Sequence, residues 1–126
     1  MTRSDPPVDK KRRAWRFGRN AESLCAWVLR LKGYQIVARD FRVPVGEIDI
    51  VARRGRTLAF IEVKARAEEY AAEAVTPRQR RRIVRAAEAF IRARRGYAAF
   101  DVRFDVMLVR RGGWPRHFVN AWRADD

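Results

Sequence analysis

Two apolar runs with charges set inside them constrain this chain most. Gly46-Glu47-Ile48-Asp49-Ile50-Val51 and Leu58-Ala59-Phe60-Ile61-Glu62-Val63-Lys64 both read as strands, and Arg53-Arg54-Gly55-Arg56 between them is a hairpin signal. Strand alternation puts Glu47, Asp49 and Val51 on one face of the first run. In the second run Phe60, Glu62 and Lys64 share a face. Two acids and a lysine are therefore expected to converge from neighbouring strands of an otherwise apolar sheet. A charge among Ile48, Ile50 and Val51 is costly unless it is paired or bound to metal.

The rest of the chain supplies the frame. At 126 residues it is long enough for one domain with a real core. Proline and mixed charge predict a flexible basic N-terminal arm over residues 1–16, leaving 17–126 as a single domain. From Gly18 to about Lys32 the apolar period is helical, with Ala21, Leu24, Cys25, Val28 and Leu31 as the stripe, Asn20 as N-cap and Gly33 as the stop. Glu22 then falls in the first turn. Helix-dipole complementarity of about 0.3–1 kcal/mol accounts for it there, and its place beside the buried stripe leaves a functional role open.

A first strand is expected over Tyr34–Phe41, and an alanine- and glutamate-rich loop or short helical turn over 65–75. Thr76-Pro77-Arg78-Gln79 is a well-formed helix start, with Ile83, Ala86, Ala87, Phe90 and Ile91 as its buried stripe. Two more strands follow, Asp101–Arg111 and an edge-like Pro115–Trp122. The order is α-β-β-β-α-β-β, an α/β fold with a mixed central sheet of about five strands flanked by helices.

No apolar run of membrane-spanning length and no signal-peptide region occur, so a cytoplasmic protein without membrane attachment is expected. The lone Cys25 reads as a buried, inert thiol and the lone His117 as a surface or edge-strand residue. The net charge of +14 favours a polyanionic partner, with nucleic acid preferred to lipid. Arg78, Arg81, Arg82, Arg85 and Arg92 lie mostly off the buried stripe of the second helix, where Glu88 is the only acid. With Gln79, the first four of these arginines are the candidate nucleic-acid contacts.

Composition alone predicts roughly one-half of an acid-x-Lys triplet by chance, so Glu62-Val63-Lys64 means little as a string. Its setting means more. Lysine is scarce beside arginine, and Lys64 is the only one placed in the sheet. Asp49 and Glu62 offer hard oxygen ligands for Mg²⁺ or Mn²⁺, together with the Val63 carbonyl. Lys64 is placed to orient a water or steady charge developing on a phosphate, and Glu22 to hold a metal-bound water or a second ion. An Asp49–Lys64 or Glu62–Lys64 ion pair is the plain structural alternative.

Gly18-Arg19-Asn20-Ala21-Glu22, Gly33-Tyr34, Gly46-Glu47-Ile48-Asp49, Phe60-Ile61-Glu62-Val63-Lys64-Ala65-Arg66, Arg103-Phe104-Asp105-Val106 and His117 resemble the YraN family of small bacterial proteins, themselves similar to archaeal Holliday-junction resolvases. The match runs from about Gly18 to Trp122. The resemblance implies the PD-(D/E)xK restriction-endonuclease-like core, with Glu22, Asp49, Glu62 and Lys64 as its catalytic set, and is compatible with a homodimer. Glu47 and Asp105 belong to matched motifs without an assigned role. Two departures are the glutamine at Gln79, where relatives often place lysine nearby, and the absence of proline before Asp49. Three functions follow: a metal-dependent nuclease acting on DNA, branched DNA included; a non-catalytic nucleic-acid-binding protein of the same fold; or an accessory protein docking through Trp114, Phe118 and Trp122.

Overall fold

The computed structural model describes the backbone of residues 6–65, 75–110 and 112–125, and side chains from residue 19 onward within those ranges. Helix α1 (Pro6–Leu31) leads into strands β1 (Gln35–Val43), β2 (Gly46–Arg54) and β3 (Thr57–Ala65). Helix α2 (Pro77–Ala93) and a single 3-10 turn (Arg95–Tyr97) then carry the chain to β4 (Asp101–Val109) and β5 (Arg116–Trp122). The five strands form one sheet in the order β1-β2-β3-β4-β5, antiparallel except for the parallel β3–β4 pair that α2 connects. The expected α/β class and element order hold. The segment expected as a loop or short turn before α2 lies mostly outside the described residues.

Helix α1 departs most from the expectation. It begins at Pro6, so residues expected to form a flexible arm are its first turns, and Asn20 is an interior residue rather than a cap. Two prolines suit a first helical turn, and the lysines, arginines and alanine after them are good helix formers. The buried stripe runs through Ala21, Cys25, Val28 and Leu29, with Ala26 beside it. That i, i+4, i+8 path turns the expected Leu31 out to solvent, 73% exposed.

The sheet separates two cores. On the α1 side Ala21, Cys25 and Leu29 meet Ile50, Ala52, Ala59, Ile61 and Met107. On the α2 side Ile83, Ala86, Ala87 and Phe90 meet Ile48, Val51, Leu58, Phe60 and Val106. Aromatic rings join the latter core in edge-to-face and stacked pairs. Phe90 packs on Phe41 (5.1 Å) and Phe60 (5.8 Å), Phe60 on Phe104 (5.8 Å), and Phe104 on Trp122 (5.5 Å).

These cores correct the simple alternation of β2. Ile48 and Val51 belong to one side and Ile50 to the other, so the alternation breaks between them. The β2–β3 register explains why: it runs from Arg54↔Thr57 to Ile50↔Ile61 and stops there, just before Asp49. At the other end Gly55 (φ 60) occupies the first position of a two-residue turn, where a positive φ favours glycine.

The β1–β2 turn is fixed against α2 by a close approach. A Cβ on Gly46 would lie 2.2 Å from the Arg82 carbonyl oxygen and 2.8 Å from its carbon. Backbone cannot yield there cheaply. Gly46→Ala is therefore expected to destabilise the protein by about 1–3 kcal/mol in urea unfolding, as overpacking does. A loss within experimental error would mean that the turn does not sit on α2.

Candidate metal centre and nucleic-acid face

The acids gather where β2 leaves β3. Beyond Ile50 the Asp49 carboxylate takes over the role of the ladder, accepting a hydrogen bond from the Val63 N–H at 2.8 Å. The N–H and C=O of a strand residue face the same neighbour, so the Val63 carbonyl is turned toward the same gap. Glu22 approaches from α1 and Asp40 from β1. One carboxylate oxygen from each of Glu22, Asp40 and Asp49 lies within 4.8 Å of the others.

Glu22 lies well inside α1 rather than in its first turn, so the helix dipole does not explain its position. Arg39 is paired loosely with it, its Nη2 3.9 Å from Oε1 while donating to Ser23 Oγ at 3.3 Å. Asp40 went unnoticed in the sequence. Its β1–β2 register places it opposite Asp49, between the pairs Arg39↔Ile50 and Phe41↔Ile48. Asp40 adopts φ 51, a left-handed conformation that aspartate tolerates better than most residues.

Glu62 and Lys64 share a face as expected. The Lys64 ammonium lies 3.3 Å from Glu62 Oε2, and both side chains are largely buried. Glu62 also lines an open cleft of about 340 Å³ with Glu47, Gln79, Arg82 and Ile83. Glu47 is exposed and sits 3.6 Å from Arg42.

The electrostatics set these acids apart. Burial, followed by the Asp49 and Asp40 charges, pushes Glu22 up to about 7. Burial and then Asp49 push Glu62 up to about 8, against the lowering pull of Lys64. Asp49 is raised by burial, although hydrogen bonds from Val63 and Glu62 oppose the shift. The nearby Cys25 thiol is driven to about 12, chiefly by burial, which fits its expected inertness.

Asp105 is the opposite case. It is fully buried, and burial alone would raise its pKa, yet its hydrogen bonds bring it below the ordinary value. Nε2 of His117 donates to it at 2.8 Å, Nε and Nη2 of Arg103 each at 2.9 Å, and the Asn120 N–H at 2.9 Å. Arg103 also donates to the Tyr34 hydroxyl. The Lys32 ammonium, which can only donate, lies 2.6 Å from His117 Nδ1, so the His117 proton is on Nε2. His117 is on the edge strand as expected, but at 3% side-chain exposure it is not a surface residue. Asp105 and His117 tie β4 and β5 to the end of α1 and stand outside the acid cluster.

On α2, Arg78, Arg81, Arg82 and Arg85 are all exposed. Arg80, by contrast, turns inward and donates to the Val75 carbonyl. The docking reading loses its third aromatic, since Trp122 is 3% exposed and Phe118 half-buried, leaving Trp114 alone at the surface. Among the described residues no helix is long and apolar enough to cross a membrane.

Comparison with known proteins places this arrangement in a family. The family model described as "Uncharacterised protein family UPF0102" matches residues 21–109, the kinship to which the YraN resemblance pointed. A UPF0102 protein of Parvibaculum lavamentivorans is 53% identical over 111 residues, covering 87% of this chain and 84% of its own. The UPF0102 protein amb4503 of Paramagnetospirillum magneticum is 48% identical over 127 residues, covering 97% and 98% respectively. A UPF0102 protein of Rhodopseudomonas palustris strain BisA53 is 48% identical over 122 residues, covering 96% and 94%.

The raised acids carry a stability consequence whose sign is definite. In the unfolded chain Glu22 and Glu62 release their protons near 4.5, and in the folded protein near 7 and 8. Between those values the folded state holds more protons, so the free energy of unfolding falls as pH rises, by about 1.4 kcal/mol per pH unit for each extra proton. Asp105, already ionised there, adds no slope. Urea unfolding in EDTA should show stability declining from pH 5 to pH 8. Glu22→Gln should flatten that decline; an unchanged slope would remove Glu22 from the cluster.

Proposed function

The chain belongs to the uncharacterised protein family UPF0102, and on the chemistry of its acid cluster we propose that it is a divalent-metal-dependent nuclease hydrolysing phosphodiester bonds in DNA, branched DNA included. One observation carries this reading: Glu22, Asp40 and Asp49 converge at a broken strand pair, and despite the pull of Arg39 and Arg19 on Glu22 both Glu22 and Asp49 stay raised. Mg²⁺ or Mn²⁺ is the partner their chemistry suits, since hard oxygen donors favour hard cations.

Asp49, Glu62 and the Val63 carbonyl would hold the ion, with Glu22 and Asp40 taking a bound water or a second ion. When bound, such an ion polarises a phosphate and lowers the pKa of a water. The protein's own groups do the rest. The Val63 N–H fixes the Asp49 carboxylate, so this ligand is set before any ion arrives. Lys64, held beside Glu62, is placed to steady negative charge developing on the phosphate or to orient the attacking water. Arg82 of α2 lines the same cleft, and with the exposed Arg78, Arg81 and Arg85 of that helix it would supply phosphate contacts.

Purified protein with Mn²⁺ or Mg²⁺ should cut a linear duplex, a single strand or a four-way junction of DNA, with EDTA blocking cleavage. Asp49→Asn should reduce cleavage by about 10³-fold or more, on the scale of losing a group that positions reacting atoms. Asp40→Asn should weaken the metal dependence with a smaller loss. Inactivity of wild type on all three DNAs and on RNA, with both metals, would sink the reading.

The Glu62–Lys64 ion pair specifically favours a second reading, a nucleic-acid-binding protein without turnover, because the pair already satisfies part of the site. The two part at Asp49→Asn, which leaves binding intact or stronger if phosphate meets only the arginines. Under either reading, binding to duplex DNA should weaken steeply with salt. Arg81→Ala and Arg85→Ala should each lower the log–log salt slope by about 1. An unaltered slope would take α2 out of the interface.

A further inference from the structure

We infer that Gln79 is a donor-only contact to the substrate, its amide NH₂ held toward the cleft to grip a non-bridging oxygen of the DNA phosphodiester beside Arg82. This deepens the nuclease reading and rests on it. It begins with the cap of α2. Thr76 Oγ1 accepts from the Gln79 N–H at 3.2 Å, and the Thr76 N–H donates to Gln79 Oε1 at 3.1 Å. A backbone N–H only donates, so the amide oxygen must be the atom that faces Thr76. The flip that is ambiguous for most glutamines is settled here by chemistry.

Two things follow for the other end of the amide. Nε2 makes no hydrogen bond among the described residues, and it is not among the buried atoms that lack a partner, so it reaches solvent. The side chain lines the same cleft as Glu62 and Arg82. The cap thus occupies the acceptor and leaves two N–H donors open to solvent on a residue that lines the cleft. A phosphate oxygen, which only accepts, is the ligand that such an arrangement suits. A base edge or sugar hydroxyl could use an acceptor that Gln79 does not offer.

The capping box itself provides the test. Glutamate is the usual residue at this position of the box, so Gln79→Glu keeps the acceptor for Thr76 and replaces only the outward donor. Gln79→Lys does the reverse, losing the cap but restoring a donor. Ala93→Glu places the same charge change at the far end of α2. Binding of a fluorescein-labelled DNA duplex and four-way junction is measured by anisotropy, with Ca²⁺ replacing Mg²⁺ to keep strands uncut.

Gln79→Glu should melt within about 1 °C of wild type yet bind about tenfold or more weakly, and Ala93→Glu should bind within about twofold of wild type. Gln79→Lys should melt lower and still bind within about threefold of wild type. The inference is overturned if Gln79→Glu binds no worse than Ala93→Glu, or if it melts far below wild type, since the cap would then not be as described. Wild type failing to bind either DNA sinks the nuclease reading instead, a result that no variant can mimic.

Discussion

The hydrogen bond from the Val63 N–H to the Asp49 carboxylate, at 2.8 Å, is the interaction on which the rest of the site depends. A side chain stands there in place of the β2 backbone, so the ladder ends at Ile50↔Ile61 and the two strands part. That parting puts Ile48 with Val51 on the α2 side, makes room for Glu22 from α1, and opens the cleft beneath α2. A site between strands needs such a break, because an unbroken ladder satisfies its own backbone groups and leaves no gap. The close seat of Gly46 on the Arg82 backbone holds the other end of β2 against α2, so the cleft has a fixed wall.

What was legible beforehand divides along the range of the signal. The strands around Asp49 and Glu62 and the Thr76 cap rest on contacts within a few residues, and both formed as expected. The start of α1 was missed because proline and charge also describe a tail, and only the fold decides between them. Asp40 was missed for a different reason. Its meeting with Asp49 follows from hairpin register, and that register is shifted by an irregularity between Ile36 and Ala38. The partners of Asp105 were hidden in the same way. His117 and Asn120 reach it only because β5 shifts register against β4 and Asn120 takes φ 57.

Folding tolerates the acid cluster because two cores of buried apolar side chains pack on either face of the sheet. The residues directly behind it, Ile48, Ile50, Ile61 and Phe60, are essentially fully buried, as is the aromatic chain from Phe90 to Trp122. Burial is also the first cause of the raised pKa of Glu22, Asp49 and Glu62. The same packing that stabilises the sheet therefore makes its acids hold protons.

The sheet contains its own control for judging that cost. Asp105 is as deeply buried as any acid among the described residues, and it is met by a bidentate guanidinium, an imidazole N–H and a backbone N–H, which bring its pKa down. Asp49 receives one backbone N–H and a hydrogen bond from Glu62, another acid, and Arg39 stands 3.9 Å from Glu22, in a chain that carries 29 lysines and arginines. Positive charge is abundant, and at Asp105 it neutralises a buried acid completely. Its scarcity around Asp49 is therefore not a matter of supply. Exposed arginines instead line α2, where on the proposed reading they would draw phosphate toward an acidic pocket that repels it. A divalent cation would resolve both conflicts at once, since it would neutralise the carboxylates and give an incoming phosphate oxygen a positive partner. That double resolution is the argument for the proposed metal centre over a tolerated defect of the core.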